Sequence, residues 1–201
     1  MVAFAITRWP GMYPQNFSAA YALLFCAGVY FVGRTAWWLP LLTMFISDMA
    51  LNLYYRYALD YDVFNLSMLR YMLGNYGVYV CLIWLGRLFT PRASFTALLG
   101  GGVLGALMFY LLTNTFAWFF NPFNNPEYTR TLGGWLIALT KGTAGWPETW
   151  EFFRNTLLSG GLFTGLFVGA MKASEAMDEA KEPETETEAE GEEAKPDEAK
   201  A

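Results

Sequence analysis

Residues 95–112 read FTALLGGGVLGALMFYLL, eighteen residues without a charged side chain. They lie within a longer uncharged interval, which runs from Arg92 to Glu127. A helix that crosses the hydrocarbon core of a membrane needs roughly 20 mostly apolar residues. This stretch therefore predicts a membrane-spanning helix, and the intervals between the other charged residues can be tested by the same rule.

Five further segments approach the required length or fall short of it. We predict an all-α membrane protein with a compact bundle of about six transmembrane helices, in which the fifth helix is short or half-spanning. Residues 113–126 follow the fourth helix and are rich in asparagine and proline, so we expect a turn there. The five other predicted helices cover residues 17–32, residues 37–55 with Asp48 inside, residues 70–87, residues 128–140 and residues 147–173.

Charge divides the chain into three parts. Residues 1–16 form an N-terminal segment, residues 17–173 the transmembrane domain, and residues 174–201 an acidic tail. The tail carries twelve acidic residues and three lysines, so it accounts for the negative charge of a chain whose net charge is −5. Because it has no aromatic residue and few apolar ones, we expect it to be disordered.

Composition excludes several kinds of chemistry. The chain has no histidine, which removes histidine-dependent nucleophilic catalysis and histidine-containing metal sites. Cys26 and Cys81 lie in apolar runs without CxxC spacing, as buried structural cysteines do. These absences remove many enzyme classes. We predict that the protein is not an enzyme and that it has no metal site, no cofactor and no nucleic-acid partner.

Asp48 is the first candidate functional residue. A carboxylate within a membrane helix costs on the order of 2.5–3.5 kcal/mol to insert, so something must compensate it. Asn52 lies one turn later on the same helix face. The sequence leaves open a structural ion pair, with a partner among Arg34, Arg56, Arg70, Arg130 and Arg154, and direct contact with a ligand.

Two polar groups are further candidates. The first group begins at Thr113 and includes Asn114 and Trp118. Hydrogen-bonding side chains at the mouth of an apolar bundle suit a small polar ligand. Capping of the helix end is the alternative. The second group is Arg154, Asn155 and Thr156 at the start of the last helix, where an arginine at the headgroup level is the alternative.

Small residues repeat every four positions on two predicted helices. Such rows let helix backbones approach closely within a membrane. They predict either packing inside the bundle or a docking surface for a partner protein. The rows are Ser18, Ala22 and Cys26 on the first helix, and Gly161, Gly165 and Gly169 on the last.

The order of the short motifs carries a resemblance. The motifs are Asn16-Phe17-Ser18, Leu39 to Leu42 with Ile46-Ser47-Asp48, Thr113-Asn114 with Trp118, residues 128–133 and residues 152–158. Together they resemble a family of uncharacterised bacterial membrane proteins that look like the substrate-binding S subunits of energy-coupling-factor (ECF) transporters, over roughly residues 13–172.

This resemblance implies a small-solute-binding subunit that captures a vitamin-like or other small polar ligand. It implies a multi-pass protein of the bacterial cytoplasmic membrane, with a coupling subunit and two ATPases as partners. In such a protein the row at Ser18, Ala22 and Cys26 would face the coupling subunit. We expect both termini in the cytoplasm, because a long anionic tail is easily left untranslocated. The alternative function is a membrane scaffold that binds proteins through its small-residue helix faces.

Overall fold

The computed structural model describes the backbone of residues 2–193 and the side chains of Phe4 and residues 6–179. Within these residues the fold is all-helical, with seven helices. Their bounds are α1 Val2–Arg8, α2 Ala20–Tyr30, α3 Thr35–Ala58, α4 Leu66–Arg87, α5 Phe95–Phe120, α6 Leu132–Leu139 and α7 Thr149–Glu193.

Three helices are long and apolar enough to cross a membrane: α3, α5 and residues Thr149–Glu179 of α7. The expected number of about six is therefore larger than the number that reaches this length and hydropathy among the described residues. The eleven residues of α2 extend only about 17 Å at 1.5 Å per residue, and the eight of α6 extend less. The prediction of a short fifth helix is confirmed by α6.

The central element of the bundle is α2, which packs against α3, α4, α5 and α7. Nine of its eleven residues are buried. One core cluster joins Leu24 of α2 to Met44 of α3 and Leu82 of α4, and a second joins Phe25 of α2 to Leu98 of α5 and Val168 of α7. A short helix buried all round is stabilised by its neighbours, because helices of this length are marginal alone.

Side chains fix the beginnings of three helices. Asn65, Ser94 and Thr131 each accept a hydrogen bond from the backbone N–H three residues later, at 2.9, 3.2 and 3.1 Å respectively. These N-caps satisfy donors that have no partner inside the helix. Polar residues between apolar segments thus set where α4, α5 and α6 begin.

The prediction that residues 113–126 leave the helix is wrong for its first part, because α5 continues to Phe120. Thr113, Asn114 and Thr115 each donate a side-chain hydrogen bond to the carbonyl four residues earlier, at 2.8, 2.8 and 2.6 Å. These bonds satisfy the polar groups on the helix itself, so they do not end it. The helix ends at Asn121, whose φ of 40° is left-handed.

The two ends of the chain also differ from expectation. The N-terminal segment contains α1, which brings Phe4 into the core. The last helix does not end near Ala173 but continues to Glu193, through alanine, glutamate and lysine residues that favour helix. Residues 194–201 of the predicted tail lie outside the described residues.

Candidate solute-binding cavity

A cavity of about 980 Å³ opens at one end of the bundle. Its walls come from α1 and the loop after it, from α2, α3, α4, α5 and the start of α7, from the loop between α3 and α4, and from the loops on either side of α6. The volume lies at the upper end of the roughly 300–1,000 Å³ typical of small-molecule sites.

Arg8 and Asp48 form an ion pair on the cavity wall. The Nη2 atom of Arg8 donates to Oδ1 of Asp48 at 2.5 Å, and Nη1 donates to Oγ of Ser47 at 2.5 Å. Both side chains are largely buried, with 15% and 13% of their surface exposed. The hydroxyl of Tyr79 on α4 lies 3.5 Å from the other carboxylate oxygen of Asp48. The pair thus links α1, α3 and α4.

The partner of Asp48 is therefore Arg8, which was not among the five arginines considered from the sequence. The prediction places residues 1–16 outside the bundle, and it therefore does not point to Arg8. The useful signal was the apolar run VAFAIT immediately before Arg8, which can carry a basic residue into a protein core.

Three of the predicted ligand-binding residues lie on the cavity wall: Asp48, Asn52 and Asn114. The amide of Asn52 donates weakly to the sulfur of Met72 at 3.5 Å. That of Asn114 donates to the Tyr110 carbonyl, which leaves its oxygen as an acceptor. The cavity wall therefore carries polar side chains from both α3 and α5.

The other four predicted residues lie elsewhere. Trp118 donates to the Thr129 carbonyl at 2.7 Å and lines a smaller pocket of about 440 Å³ with Arg130 and Trp135. Arg154 is exposed, with its guanidinium 5.7 Å from the centre of the Trp150 ring.

Asn155 and Thr156 have structural roles next to the cavity without lining it. The Asn155 amide donates to the Gln15 carbonyl at 2.9 Å, which ties α7 to the loop before α2. Thr156 is buried where α7 packs against α2, and its hydroxyl has no hydrogen-bond partner among the described residues. The polar cluster at the start of α7 therefore supports the loop and α2 that form part of the wall.

Aromatic side chains make up much of the cavity wall, which sequence reasoning missed. Nine of the chain's twelve tyrosines line it: Tyr13, Tyr21, Tyr54, Tyr55, Tyr61, Tyr71, Tyr76, Tyr79 and Tyr128. In the loop after α5, burial, with smaller effects of Tyr71 and Glu127, raises the pKa of Tyr128. That hydroxyl therefore stays protonated at neutral pH and can donate a hydrogen bond.

The small-residue rows are covered by the bundle to different degrees. Ser18, Ala22 and Cys26 are all buried. On α7 the closest approach to α5 is made one position away from the predicted row, at Gly160 and Thr164, which meet Ala106 and Gly102. Gly161 and Gly165 have neighbours only at ordinary contact distance, and Gly169 has open space beside it. These contacts fit packing within the bundle.

Comparison with known proteins identifies the family of this chain. Neither the curated proteins nor the solved structures contain a match to this chain. One family model matches residues 1–182 of the 201. The chain therefore belongs to DUF6580, a family of unknown function.

Proposed function

We propose that this protein is a membrane-embedded subunit that captures a small solute in the cavity beside Arg8 and Asp48. The cavity itself carries the proposal, because it combines a mostly apolar and aromatic wall with a few converging polar groups. That combination is the usual composition of a small-molecule site. Asp48, Asn52 and Asn114 supply polar groups on two helices long enough to cross a membrane, which gives the site a firm scaffold.

Membrane embedding is supported by the outer surface of the long helices. On α7, Leu158, Leu162 and Leu166 are 59%, 49% and 60% exposed and share one face at four-residue spacing. On α3, Phe45 and Ile46 are similarly exposed. Apolar faces of this extent on a soluble protein would promote aggregation, whereas lipid covers them at no cost. We place the protein in a bacterial cytoplasmic membrane as a multi-pass subunit.

The motif order supports an S-subunit-like role, in which a separate coupling subunit and ATPases drive release of the solute. The ATPases would then hydrolyse ATP, and this chain would carry out no reaction. The present chain would supply the site, and the pairing of Arg8 with Asp48 would hold the walls together.

Native mass spectrometry of the full chain, purified from membranes in mild detergent, tests solute capture. We expect a bound small molecule that is retained in the wild type and lost in Asn114→Leu, which removes an amide from the wall. Arg154→Gln is the matched control, because Arg154 is exposed and away from the cavity. A wild-type protein that is empty in repeated preparations would overturn the proposal, as would equal loss in both variants.

A further inference from the structure

The short helix α6 lies beside the last turns of α5 and runs in the opposite direction. Successive residues along α6 are joined to successively earlier residues of α5, so the two helices are antiparallel. α6 therefore runs from the cavity end of the bundle toward its middle. Three side-chain hydrogen bonds join the helices: Trp118 to the Thr129 carbonyl, Trp135 to the Thr115 hydroxyl, and Tyr110 to the Leu139 carbonyl.

The smaller pocket, of about 440 Å³, is an open groove between these two helices. We call it the α5–α6 groove, and none of its residues lines the cavity beside Arg8 and Asp48. The indoles and hydroxyls in its lining already make hydrogen bonds within the protein, which leaves the Arg130 guanidinium as its charged contact for a ligand. The lining consists of Thr115, Trp118, Arg130, Thr131, Leu132 and Trp135.

The charge of Arg130 is not compensated by the described part of the protein. That part holds two ion pairs, and Arg130 belongs to neither. The carboxylate of Glu127, three residues earlier, accepts a hydrogen bond from the Ala144 N–H at 3.1 Å. The exposed guanidinium lies 4.8 Å from the centre of the Phe119 ring and 5.9 Å from that of Trp118. Its complement is an oxyanion such as phosphate, which a guanidinium binds through parallel N–H donors.

Exposed leucines continue the groove toward the middle of the bundle. Leu132 and Leu136 lie one turn apart on α6, and Leu111 lies one turn before Thr115 on α5. All three leucines are exposed. A free anion bound to Arg130 would leave them uncovered, whereas an acyl chain would bury them at a gain in free energy. The groove therefore fits a molecule with an anionic head and an apolar chain.

We propose that the α5–α6 groove binds one membrane phospholipid, with its phosphate on Arg130 and an acyl chain along Leu132 and Leu136. The indoles of Trp118 and Trp135 lie beside this contact, at the headgroup level that tryptophan favours. A lipid bound there holds α6 against α5, and the loops on either side of α6 line the cavity. The site is separate from the cavity, so this inference does not depend on solute capture.

Lipid titration of the purified, delipidated full chain, followed by native mass spectrometry, tests the ligand class. The probes are dioleoylphosphatidylglycerol, dioleoylglycerol, which lacks the phosphate, and glycerol 1-phosphate, which lacks the chains. We expect the phospholipid to bind at concentrations roughly tenfold lower than either of the others. Equal binding of dioleoylglycerol would overturn recognition of the phosphate. Equal binding of glycerol 1-phosphate would make the groove a site for a free anion and overturn the lipid.

Arginine variants separate the groove from general lipid adhesion. Arg130→Gln should weaken binding of dioleoylphosphatidylglycerol about tenfold, because a charge-assisted contact is lost. Arg130→Lys keeps the charge and should lose less. Arg154→Gln is the matched control and should bind as the wild type does, because Arg154 is also exposed beside a tryptophan ring but lies outside the groove. Equal binding by Arg130→Gln and Arg154→Gln would overturn the site.

A leucine variant tests the chain contact. Leu132→Asn should weaken binding of dioleoylphosphatidylglycerol about fivefold, since apolar area against the chain is lost. Leu158→Asn is the control, because Leu158 is a similarly exposed leucine on α7, outside the groove. Equal losses in the two variants would show that the acyl chain does not lie in the groove, and would overturn the proposal.

Discussion

Arg8 and Asp48 are 40 residues apart in the sequence, yet their side chains meet at 2.5 Å within the bundle. The contact places the short N-terminal helix against α3, and Ser47 adds a second hydrogen bond to the same guanidinium. Burial of the Asp48 carboxylate is costly, and the Arg8 guanidinium compensates it. The two residues come together only through the tertiary fold. The pair determines both the position of α1 and the electrostatics of the cavity.

We expect either single substitution, Arg8→Met or Asp48→Asn, to lower the free energy of unfolding by about 3 kcal/mol. Removing one partner leaves a buried group without its counterpart. The double variant should lose less than the sum of the two, because no buried charge is left alone. Unfolding in mixed detergent micelles, followed by circular dichroism, measures all three.

Arg56 and Asp60 provide the control for that experiment. They form an ion pair at 2.9 Å between i and i+4, but Arg56 is 44% exposed and Asp60 is 96% exposed. Arg56→Gln should change the unfolding free energy by less than about 0.5 kcal/mol. Equal losses in Arg56→Gln and Arg8→Met would mean that the Arg8–Asp48 contact has no special role.

The sequence was sufficient to place the helices whose ends are marked by charges and caps. The shortness of α6 follows from charge spacing alone, whereas the beginning of α5 follows from that spacing together with the N-cap at Ser94. The continuation of α5 depends on whether Thr113 and Asn114 bond to their own helix or to a turn, and composition does not distinguish these outcomes. The pairing of Arg8 depends on how α1 folds back on the bundle, which is a tertiary contact. Asp48, Asn52 and Asn114 stand out in the sequence because polar groups in apolar helices are costly, and all three lie on the cavity wall.

The crossing of α2 and α4 depends on two glycines that sequence reasoning did not select. A Cβ atom at Gly28 would lie 2.9 Å from the Gly86 Cα atom and still closer to the Ile83 carbonyl oxygen. Because backbone atoms cannot move aside as a side chain can, Gly28→Ala should lower the unfolding free energy by at least about 2 kcal/mol. Thermal unfolding monitored by circular dichroism measures the loss.

Gly77→Ala on α4 is the matched control, since no atom lies within 4 Å of the added Cβ. Alanine favours helix over glycine by about 1 kcal/mol, so this variant should be as stable as the wild type or slightly more stable. If Gly28→Ala and Gly77→Ala had the same unfolding free energy, the helices α2 and α4 would not be in tight contact at Gly28.

The contact between α5 and α7 gives a separate prediction about the glycine row. A Cβ atom at Gly102 would meet the Thr164 side chain, with Cγ2 at 2.5 Å, whereas one at Gly169 would meet nothing within 4 Å. Gly102→Ala should therefore cost about 1–3 kcal/mol, whereas Gly169→Ala, like Gly77→Ala, should be as stable as the wild type or slightly more stable.

The same two variants separate packing from partner binding. If the row serves packing, Gly169→Ala leaves the set of co-purifying proteins unchanged. Loss of a co-purifying protein in Gly169→Ala, at normal stability, would instead support a docking surface on α7. Affinity purification followed by mass spectrometry distinguishes the two outcomes.

The two cysteines test whether the outer face of α4 lies in lipid. Cys26 is buried in the core, as predicted. The same prediction is wrong for Cys81, which is exposed on the surface of the bundle between the exposed residues Val80 and Trp84. Hydrocarbon excludes both water and a charged maleimide, and it disfavours the reactive thiolate. In intact membranes we therefore expect neither cysteine to react with such a reagent, and both to react after unfolding in detergent. Ala144→Cys, in the exposed loop before α7, should react at once and shows that the reagent is active. Rapid labelling of Cys81 in membranes would place this face of α4 in water.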